Sequence, residues 1–195
     1  LEHLKIIGKD PCSLVEKIYP ELSKLSVNMY SEFENVAFSL GMHNEHEIID
    51  VIVRRGNSDF YNRIEMCNHK IFRIEDWEFA RMTIGYPGAN EVRSKYLPHD
   101  IGMLNLISLN KGCYPGQEIH ARLDSRSKPK KKMVIMATNN VMEIGKHSLS
   151  DDSIVKITSS AVRDGSHLSM GICSVDVSPD ATLVNYYGES KLILL

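Results

Sequence analysis

The stretch KGCYPGQE, residues 111 to 118, gathers more conformationally and chemically special residues than any other part of the chain. It contains two glycines, a proline, a thiol, a phenol, an amide and two opposite charges. Pro115 suits a first helical turn, and the pattern after it predicts a helix from Gly116 to Leu123. Glu118 then lies near a helix N-terminus, where negative charge is favoured, and four residues before Arg122, with which it is expected to form an ion pair.

Within this stretch, Cys113 has two readings. It precedes the positive end of the predicted helix and has Lys111 close by in sequence, and both influences favour the thiolate form. Alternatively, Cys113 is a small buried hydrophobe and Gly112 and Gly116 only serve a tight turn. The composition of the stretch leaves both readings open.

The other cysteines lie in segments with apolar periodicity, so we interpret Cys12, Cys67 and Cys173 as packing residues. The four cysteines of the chain have no close spacing. This pattern favours reduced thiols over a disulfide framework or a zinc site, and no metal site is expected.

The bulk composition limits the class of protein. With 195 residues, 43% hydrophobic and 25% charged, the chain is long enough to bury a real core. Its net charge of -2 argues against bulk nucleic acid as a partner of the whole protein. No apolar run is long enough for a membrane span, and residues 1 to 5 lack the apolar run of a signal peptide, so we expect a cytoplasmic protein.

Upstream of the stretch, hydrophobic periodicity and turn signals predict alternating strands and helices. The predicted elements are a strand at 4–7, a helix from Asp10-Pro11 to Tyr19, strands at 36–40 and 47–53, a helix capped by Ser58, a short strand at 71–74, and a helix ending at Gly85 with Trp77, Ala80 and Ile84 as its buried stripe. Residues 88–112 form a long connection, a class of segment that is usually functional or disordered, and we expect it to be functional.

Downstream, the polar, basic segment 125–132, interrupted by Pro129, has the composition of a linker. Short apolar runs separated by turn residues follow it at 133–137, 154–157, 168–177, 182–187 and 192–195. This rhythm is typical of a small barrel or sandwich. We therefore predict an α+β protein with one domain over residues 1–128 and a C-terminal β-barrel over residues 129–195.

KGCYPGQE resembles the KGCY-x-GQE signature of YgfZ-type proteins, a folate-binding family of iron–sulfur cluster assembly factors related to the glycine cleavage T-protein, an aminomethyltransferase. Two flanking segments also resemble that family. Arg81, Gly85 and Pro87 match its Arg-x-x-x-Gly-x-Pro helix end, and residues 97–100 match its leucine-proline-polar-acidic segment. The resemblance is clear over residues 75–135, with a departure at 102–104, where many relatives carry Asn and Asp.

The resemblance implies an aminomethyltransferase-like folate-binding body, whose N-terminal part we expect to be missing from this sequence, followed by the barrel. It implies tetrahydrofolate or a derivative as the ligand, and Cys113 as the functional thiol. The residues it implies for cofactor binding are Lys111, Gly112, Tyr114, Gly116, Gln117, Glu118 and Arg122.

Two functions compete under this resemblance. The first is a folate-binding accessory protein for the maturation or repair of iron–sulfur enzymes, including tRNA-modifying ones, with folate and iron–sulfur client enzymes or assembly proteins as partners. The alternative is a tetrahydrofolate-dependent aminomethyltransferase, which needs an acid near the folate, and the obvious acids are Glu118 and Asp100. The cysteine motif favours the accessory function, since the T-protein branch does not typically carry it.

The basic residues after the motif also have two readings. They are Arg122, Arg126, Lys128, Lys130, Lys131 and Lys132. Such runs are usually solvated surface, and the functional reading is attraction for an anionic partner, either the polyglutamate tail of a folate or RNA. Direct binding of nucleic acid is not expected, because no aromatic residues are interleaved with the basic ones.

Overall fold

The structure is a computed structural model, and it describes residues 1–22, 25–67, 74–93, 95–178, 180–185 and 188–193. The chain forms two compact units, Leu1–Ile71 and Phe72–Leu195. The predicted domain boundary after residue 128 stays a prediction. Residues 74–128 belong to the same compact unit as the C-terminal strands.

The first unit is a four-stranded antiparallel sheet with two helices. The strand order is β1-β4-β3-β2. The elements are β1 Glu2–Ile7, α1 Pro11–Ile18, a 3-10 helix Pro20–Leu22, β2 Tyr30–Phe33, β3 Val36–His43, β4 His46–Val53 and α2 Ser58–Glu65. Alternate residues of β3 and β4 are buried together with apolar residues of both helices, which makes this sheet face the core of the unit.

Local sequence signals explain where the helices of this unit begin and end. The Asp10 carboxylate accepts a hydrogen bond from the backbone N–H of Ser13, and α1 ends before Pro20 as predicted. The predicted cap of α2 is wrong by one position. Asn57 is the cap, because its side-chain oxygen accepts the N–H of Phe60 at 3.1 Å, and Ser58 is the first helical residue.

The second unit contains a six-stranded antiparallel sheet in the order β6-β7-β8-β5-β10-β9. Its elements are α3 Ile74–Thr83, 3-10 helices Pro98–Ile101 and Leu104–Leu106, α4 Gln117–Ser125, β5 Lys131–Thr138, β6 Gly145–Ser148, β7 Ile154–Arg163, β8 Ser166–Ser174, β9 Thr182–Asn185 and β10 Gly188–Ile193. The five predicted C-terminal strands are present over the described residues, whereas residues 186, 187, 194 and 195 of the last two predictions lie outside them, and β6 was not predicted. One isolated bridge, Leu149 to Leu183, links the two edges of the sheet. The closed barrel that the sequence predicted is not shown by the strands that the structure describes.

Helix α3 packs against β7 and β8, but not on the predicted stripe. Its buried residues are Arg81 and Met82, whereas Trp77 and Ala80 are half-buried and Ile84 lies beyond the helix. The prediction assumed that only apolar residues of α3 would be buried. Arg81 is charged and yet buried, so the apolar pattern did not identify the buried face of this helix. Of the predicted strand 71–74, residues 71–73 lie outside the described residues, and Ile74 begins α3.

Among the helices that the structure describes, none has the length and apolar character needed to cross a membrane.

Candidate functional site

The motif forms a turn that leads into a helix of the second unit. Residues 111–114 have no regular structure, Pro115 and Gly116 form a turn, and α4 begins at Gln117. Gly116 adopts a left-handed conformation with φ 87°, which explains a glycine at this position. The predicted helix is therefore confirmed, although Pro115 lies in the turn rather than in the first helical turn.

The ammonium group of Lys111 lies over the aromatic ring of Tyr114, which belongs to the same motif. Lys111 Nζ lies 4.7 Å from the centroid of the Tyr114 ring, at a distance typical of a cation–π contact. Both residues of this pair flank Cys113, which is exposed. The expected influence of Lys111 on the thiol stays a prediction, since the contact that the structure gives this ammonium group is with Tyr114.

The hydroxyl group of Tyr114 is buried and has no hydrogen-bond partner in the described part of the chain. A buried donor without a partner costs about 1–3 kcal/mol relative to a satisfied one. Native structures satisfy most such groups, so an exception calls for an explanation such as a missing ligand or water. The phenol oxygen is thus an open hydrogen-bonding position within the motif.

Two histidines come together beside Tyr114. His99 and His120 stack with ring centroids 5.3 Å apart and their Nδ1 atoms at 3.4 Å, and the His120 ring centroid is 6.3 Å from that of Tyr114. Burial, followed by the nearby His120, lowers the pKa of His99, while Asp100 and Asp124 act in the opposite direction. His99 therefore favours the neutral form, which keeps one ring nitrogen available as an acceptor.

This histidine pair links the motif helix to the connection before it. His120 lies on α4, whereas His99 lies in the 3-10 helix Pro98–Ile101, where the Asp100 carboxylate accepts the N–H of Leu97 at 3.0 Å. Sequence analysis singled out the segment 97–100 through the family resemblance but not the pairing itself. No local signal reveals a contact between residues so far apart in sequence.

The remaining predicted site residues have different surroundings. Gln117 is half-buried, and its side-chain N–H donates to the Leu109 carbonyl at 3.2 Å, which holds the start of α4 to the preceding loop. Glu118 and Arg122 are both exposed and form no ion pair with each other, so that predicted pair is wrong. Two long exposed side chains lose entropy on pairing, and the gain in water is small.

The cysteines differ in exposure as expected. Cys113 is exposed, Cys12 and Cys67 are half-buried, and Cys173 is buried. Burial and a hydrogen bond with Glu47 raise the pKa of the Cys12 thiol to about 11. Burial also raises the pKa of Cys173, against the opposing effect of Lys132. Among the four cysteines, Cys113 is the one that is exposed, and it is also the one in the motif.

A buried ion network lies under the loop that follows α3. Arg81 is 1% exposed and donates to Glu78 at 2.6 Å, to Glu91 at 3.1 Å and to Ser159 Oγ at 2.9 Å. A Cβ on Gly88 would lie 2.6 Å from the Arg81 guanidinium carbon, so the loop approaches closely only with a glycine there. The network fixes α3 and the loop to β7. It thereby explains the arginine of the family-like segment Arg81 to Pro87.

Comparisons with known proteins agree with this architecture. The chain is 25% identical over 123 residues to the tRNA-modifying protein YgfZ of Buchnera aphidicola, which is 62% of this chain and 38% of that protein. It is 48% identical over 48 residues to a putative chloroplastic transferase of Arabidopsis thaliana, which is 24% of this chain and 11% of that protein. No protein-family model matches the chain.

Among solved structures, the glycine cleavage system aminomethyltransferase T of Bartonella henselae matches all of this chain with a TM-score of 0.72 and 11% sequence identity. That identity establishes the fold alone. The chain covers 58% of that structure, and the curated relatives are likewise longer than the part it matches. The resemblance to YgfZ-type proteins is therefore confirmed as a weak sequence relationship, with the aminomethyltransferase fold.

Proposed function

We propose that this chain is part of a folate-binding accessory protein that supports the maturation or repair of iron–sulfur enzymes, including tRNA-modifying ones. The relationship to YgfZ and the aminomethyltransferase fold support this proposal. The proposed partners are a reduced folate and the iron–sulfur client enzymes or assembly proteins. The proposed location is the cytoplasm.

One observation carries the proposal, namely that the motif presents an accessible thiol beside an unsatisfied phenol. Cys113 is exposed, while the hydroxyl group of its neighbour Tyr114 is buried without a partner in the described chain. A packing role for Cys113 predicts the reverse, a buried sulfur. This arrangement supports a site at which a ligand satisfies the hydroxyl group and leaves the sulfur accessible.

The residues present fit a reduced folate in chemical type. Folate combines a hydrogen-bonding pterin, an aromatic ring and glutamate carboxylates, and when bound it supplies nitrogen atoms that carry one-carbon units. The Tyr114 hydroxyl would donate to a pterin or amide acceptor, and the Lys111 ammonium would attract a carboxylate. Gln117 would hold the start of α4 in place through its bond to the Leu109 carbonyl. Gly112, Gly116, Glu118 and Arg122 complete the proposed cofactor-binding set.

The positions of the candidate acids do not favour the aminomethyltransferase alternative, although the fold is compatible with it. The carboxylate of Asp100 already accepts the backbone N–H of Leu97 and stabilises the turn at Pro98. Glu118 is exposed on α4. A general acid must lie within hydrogen-bond reach of the group that receives its proton. The buried Asp100 carboxylate is instead held by the Leu97 N–H, and Glu118 lies at the surface, so neither arrangement supports that role.

The test combines binding with cellular function. The full-length protein of which this chain is proposed to be part is titrated calorimetrically with tetrahydrofolate and with its formyl derivative, and the same protein and its Cys113→Ser variant are expressed in cells lacking their YgfZ-type protein. We expect saturable folate binding, recovery of iron–sulfur enzyme activity with the original chain, and no recovery with the Ser variant. Cys12→Ser is the matched control, since that thiol lies in the first unit and outside the motif.

Three outcomes would overturn the proposal in whole or in part. Absence of saturable binding with both folates would remove the cofactor assignment. Production of methylene-folate from an aminomethylated lipoyl carrier protein would replace the accessory function with the aminomethyltransferase. Full recovery by Cys113→Ser would show that the thiol has no part in the function.

A further inference from the structure

A cleft in the second unit is lined by lysines that come from three separate segments. It has a volume of about 420 Å³, within the range of small-molecule sites. The lysines are Lys95, from the loop before the 3-10 helix at Pro98, Lys130 and Lys131, at the start of β5, and Lys156, on β7. The lining residues include no carboxylate. The sequence run 122–132 therefore accounts for only part of this charge.

The register of the sheet explains why these side chains converge. Lys131 pairs with Ser174 across β5 and β8, and Lys156 pairs with Ile172 across β7 and β8. Residues paired directly across an antiparallel sheet project from the same face, so both lysines lie on one face of three adjacent strands. Lys95 reaches the same cleft from the loop.

Two of the cleft lysines contact the same aromatic ring, and a third faces another lysine across the sheet. Nζ of Lys95 lies 4.9 Å from the centroid of the Tyr96 ring, and Nζ of Lys131 lies 5.8 Å from the same centroid. On the other side, Lys156 is directly opposite Lys146 of β6, a cross-strand pair of like charges that destabilises a sheet. The four cleft lysines form no ion pair with any residue that the structure describes. An anion in the cleft would relieve this repulsion.

The floor of the cleft is apolar. Ile172 is 5% exposed and packs with Tyr96 and Ile101, whereas Ile154 leaves 54% of its surface exposed at the cleft. A purely inorganic anion would make no favourable contact with this apolar surface. A ligand with a planar or apolar part and several negative charges would cover the floor and reach the lysines together.

We propose that the cleft formed by Lys95, Lys130, Lys131 and Lys156 beside Tyr96 binds an organic polyphosphate of the nucleoside triphosphate class. The lysine ammonium is a point charge suited to phosphate oxygens, whereas planar carboxylates are more often held by arginine, which this cleft lacks. This site is independent of the folate site proposed above. Its test therefore stands whether or not folate binds.

The test titrates the chain with adenosine triphosphate, without added magnesium, at low and at physiological salt. We expect saturable binding that the double variant Lys131→Gln/Lys156→Gln weakens by roughly tenfold for each lysine, since each loses a charge-assisted hydrogen bond. The matched control is Arg126→Gln/Lys128→Gln, which removes the same charge from exposed residues outside the cleft. Circular dichroism and thermal unfolding of both variants verify that they fold.

Inorganic triphosphate and hexaglutamate complete the experiment. Weaker binding of inorganic triphosphate than of adenosine triphosphate would support the role of the apolar floor, and equal binding would overturn it. Preferential binding of hexaglutamate would overturn the phosphate class. Absence of adenosine triphosphate binding, or an equal loss in the control variant, would overturn the site.

Discussion

Arg81 and Glu91 form an ion pair in which both side chains are withdrawn from water, with 2% and 0% of their side-chain surface exposed and 3.1 Å between nitrogen and oxygen. Glu91 also accepts hydrogen bonds from Ser159 Oγ at 2.7 Å and from the N–H of Gly88 at 2.8 Å. Both oxygens of the carboxylate therefore accept hydrogen bonds. This network joins the end of α3 and the following loop, which precede the motif, to β7, which follows it.

The first prediction concerns this pair. Arg81→Met should lower the free energy of unfolding of the second unit by about 3–5 kcal/mol, because it leaves the Glu91 carboxylate buried without its cation. Denaturant unfolding followed by the fluorescence of Trp77 measures this, since Trp77 is the chain's single tryptophan and lies on α3.

Arg93→Ala serves as the control, because Arg93 is exposed and its side chain bonds to Asn90 and to the Ala89 carbonyl. It should change the free energy of unfolding by less than about 0.5 kcal/mol. The double variant Arg81→Met/Glu91→Leu should recover part of the loss by removing both charges. An equal cost for Arg81→Met and Arg93→Ala would show that the buried pair does not stabilise the unit.

The elements that the sequence predicted are those with local signals. Asp10 followed by Pro11 fixes the start of α1, because a cap and its partner lie within one helical turn. The left-handed conformation of Gly116 sets the start of α4. Features that depend on distant residues were not predicted. The burial of Arg81 depends on Glu91 and Ser159, and the stacking of His99 on His120 depends on how the connection folds back.

The candidate site, too, was predicted from the sequence only in part. The motif itself was identified from sequence, which left open whether Cys113 is a reactive thiol or a buried hydrophobe. The structure shows that this residue is exposed. The unsatisfied Tyr114 hydroxyl and the contact of Lys111 with the Tyr114 ring required coordinates. A sequence shows which polar groups a segment contains, but whether each one finds a partner is decided by packing.

The second prediction orders the reactivity of the cysteines. In the folded chain, alkylation should be fastest at Cys113, because only this thiol is exposed. Cys12 should gain reactivity only as the pH approaches its raised pKa of about 11, and Cys173 should react slowest because it is buried with a raised pKa. Mass spectrometry of each cysteine after timed alkylation across a pH series measures these rates.

Unfolding in denaturant provides the control for this prediction. The rates of the four cysteines should then converge, since the differences arise from burial and neighbours in the fold. If Cys113 reacts no faster than Cys12 or Cys173 in the folded chain, the site assignment of Cys113 is wrong.

The third prediction concerns pH. Burial and His120 lower the pKa of His99 below its ordinary value of 6.5, so the unfolded chain binds a proton at this residue more readily than the folded chain. Stability from this residue is thus present above about pH 6.5 and is lost as the pH falls through the folded-state pKa. His99→Gln should flatten the fall in unfolding midpoint between neutral and mildly acidic pH. His147→Gln, at a half-buried histidine of β6 whose ring bonds to the Glu143 carbonyl, is the matched control, and a slope in His99→Gln equal to that of the original chain would contradict the prediction.

The last prediction uses Tyr114→Phe, which removes one oxygen atom and leaves the ring under Lys111. Because that hydroxyl group is buried without a partner in the described chain, its removal should leave the ligand-free chain equally stable or stabilise it by up to about 1 kcal/mol. If the hydroxyl group donates to a bound folate, the same substitution should weaken folate binding by roughly tenfold, the equivalent of one lost hydrogen bond. Thermal unfolding without ligand and calorimetric titration with tetrahydrofolate measure the two effects.

Tyr96→Phe is the matched control, since Tyr96 lies at the lysine cleft, and it should leave folate affinity unchanged. If Tyr114→Phe stabilises the ligand-free chain but weakens folate binding, the Tyr114 hydroxyl group is a binding group whose partner is the ligand. A loss of stability without ligand would show that the hydroxyl group already has a partner, and an unchanged folate affinity would remove Tyr114 from the proposed site.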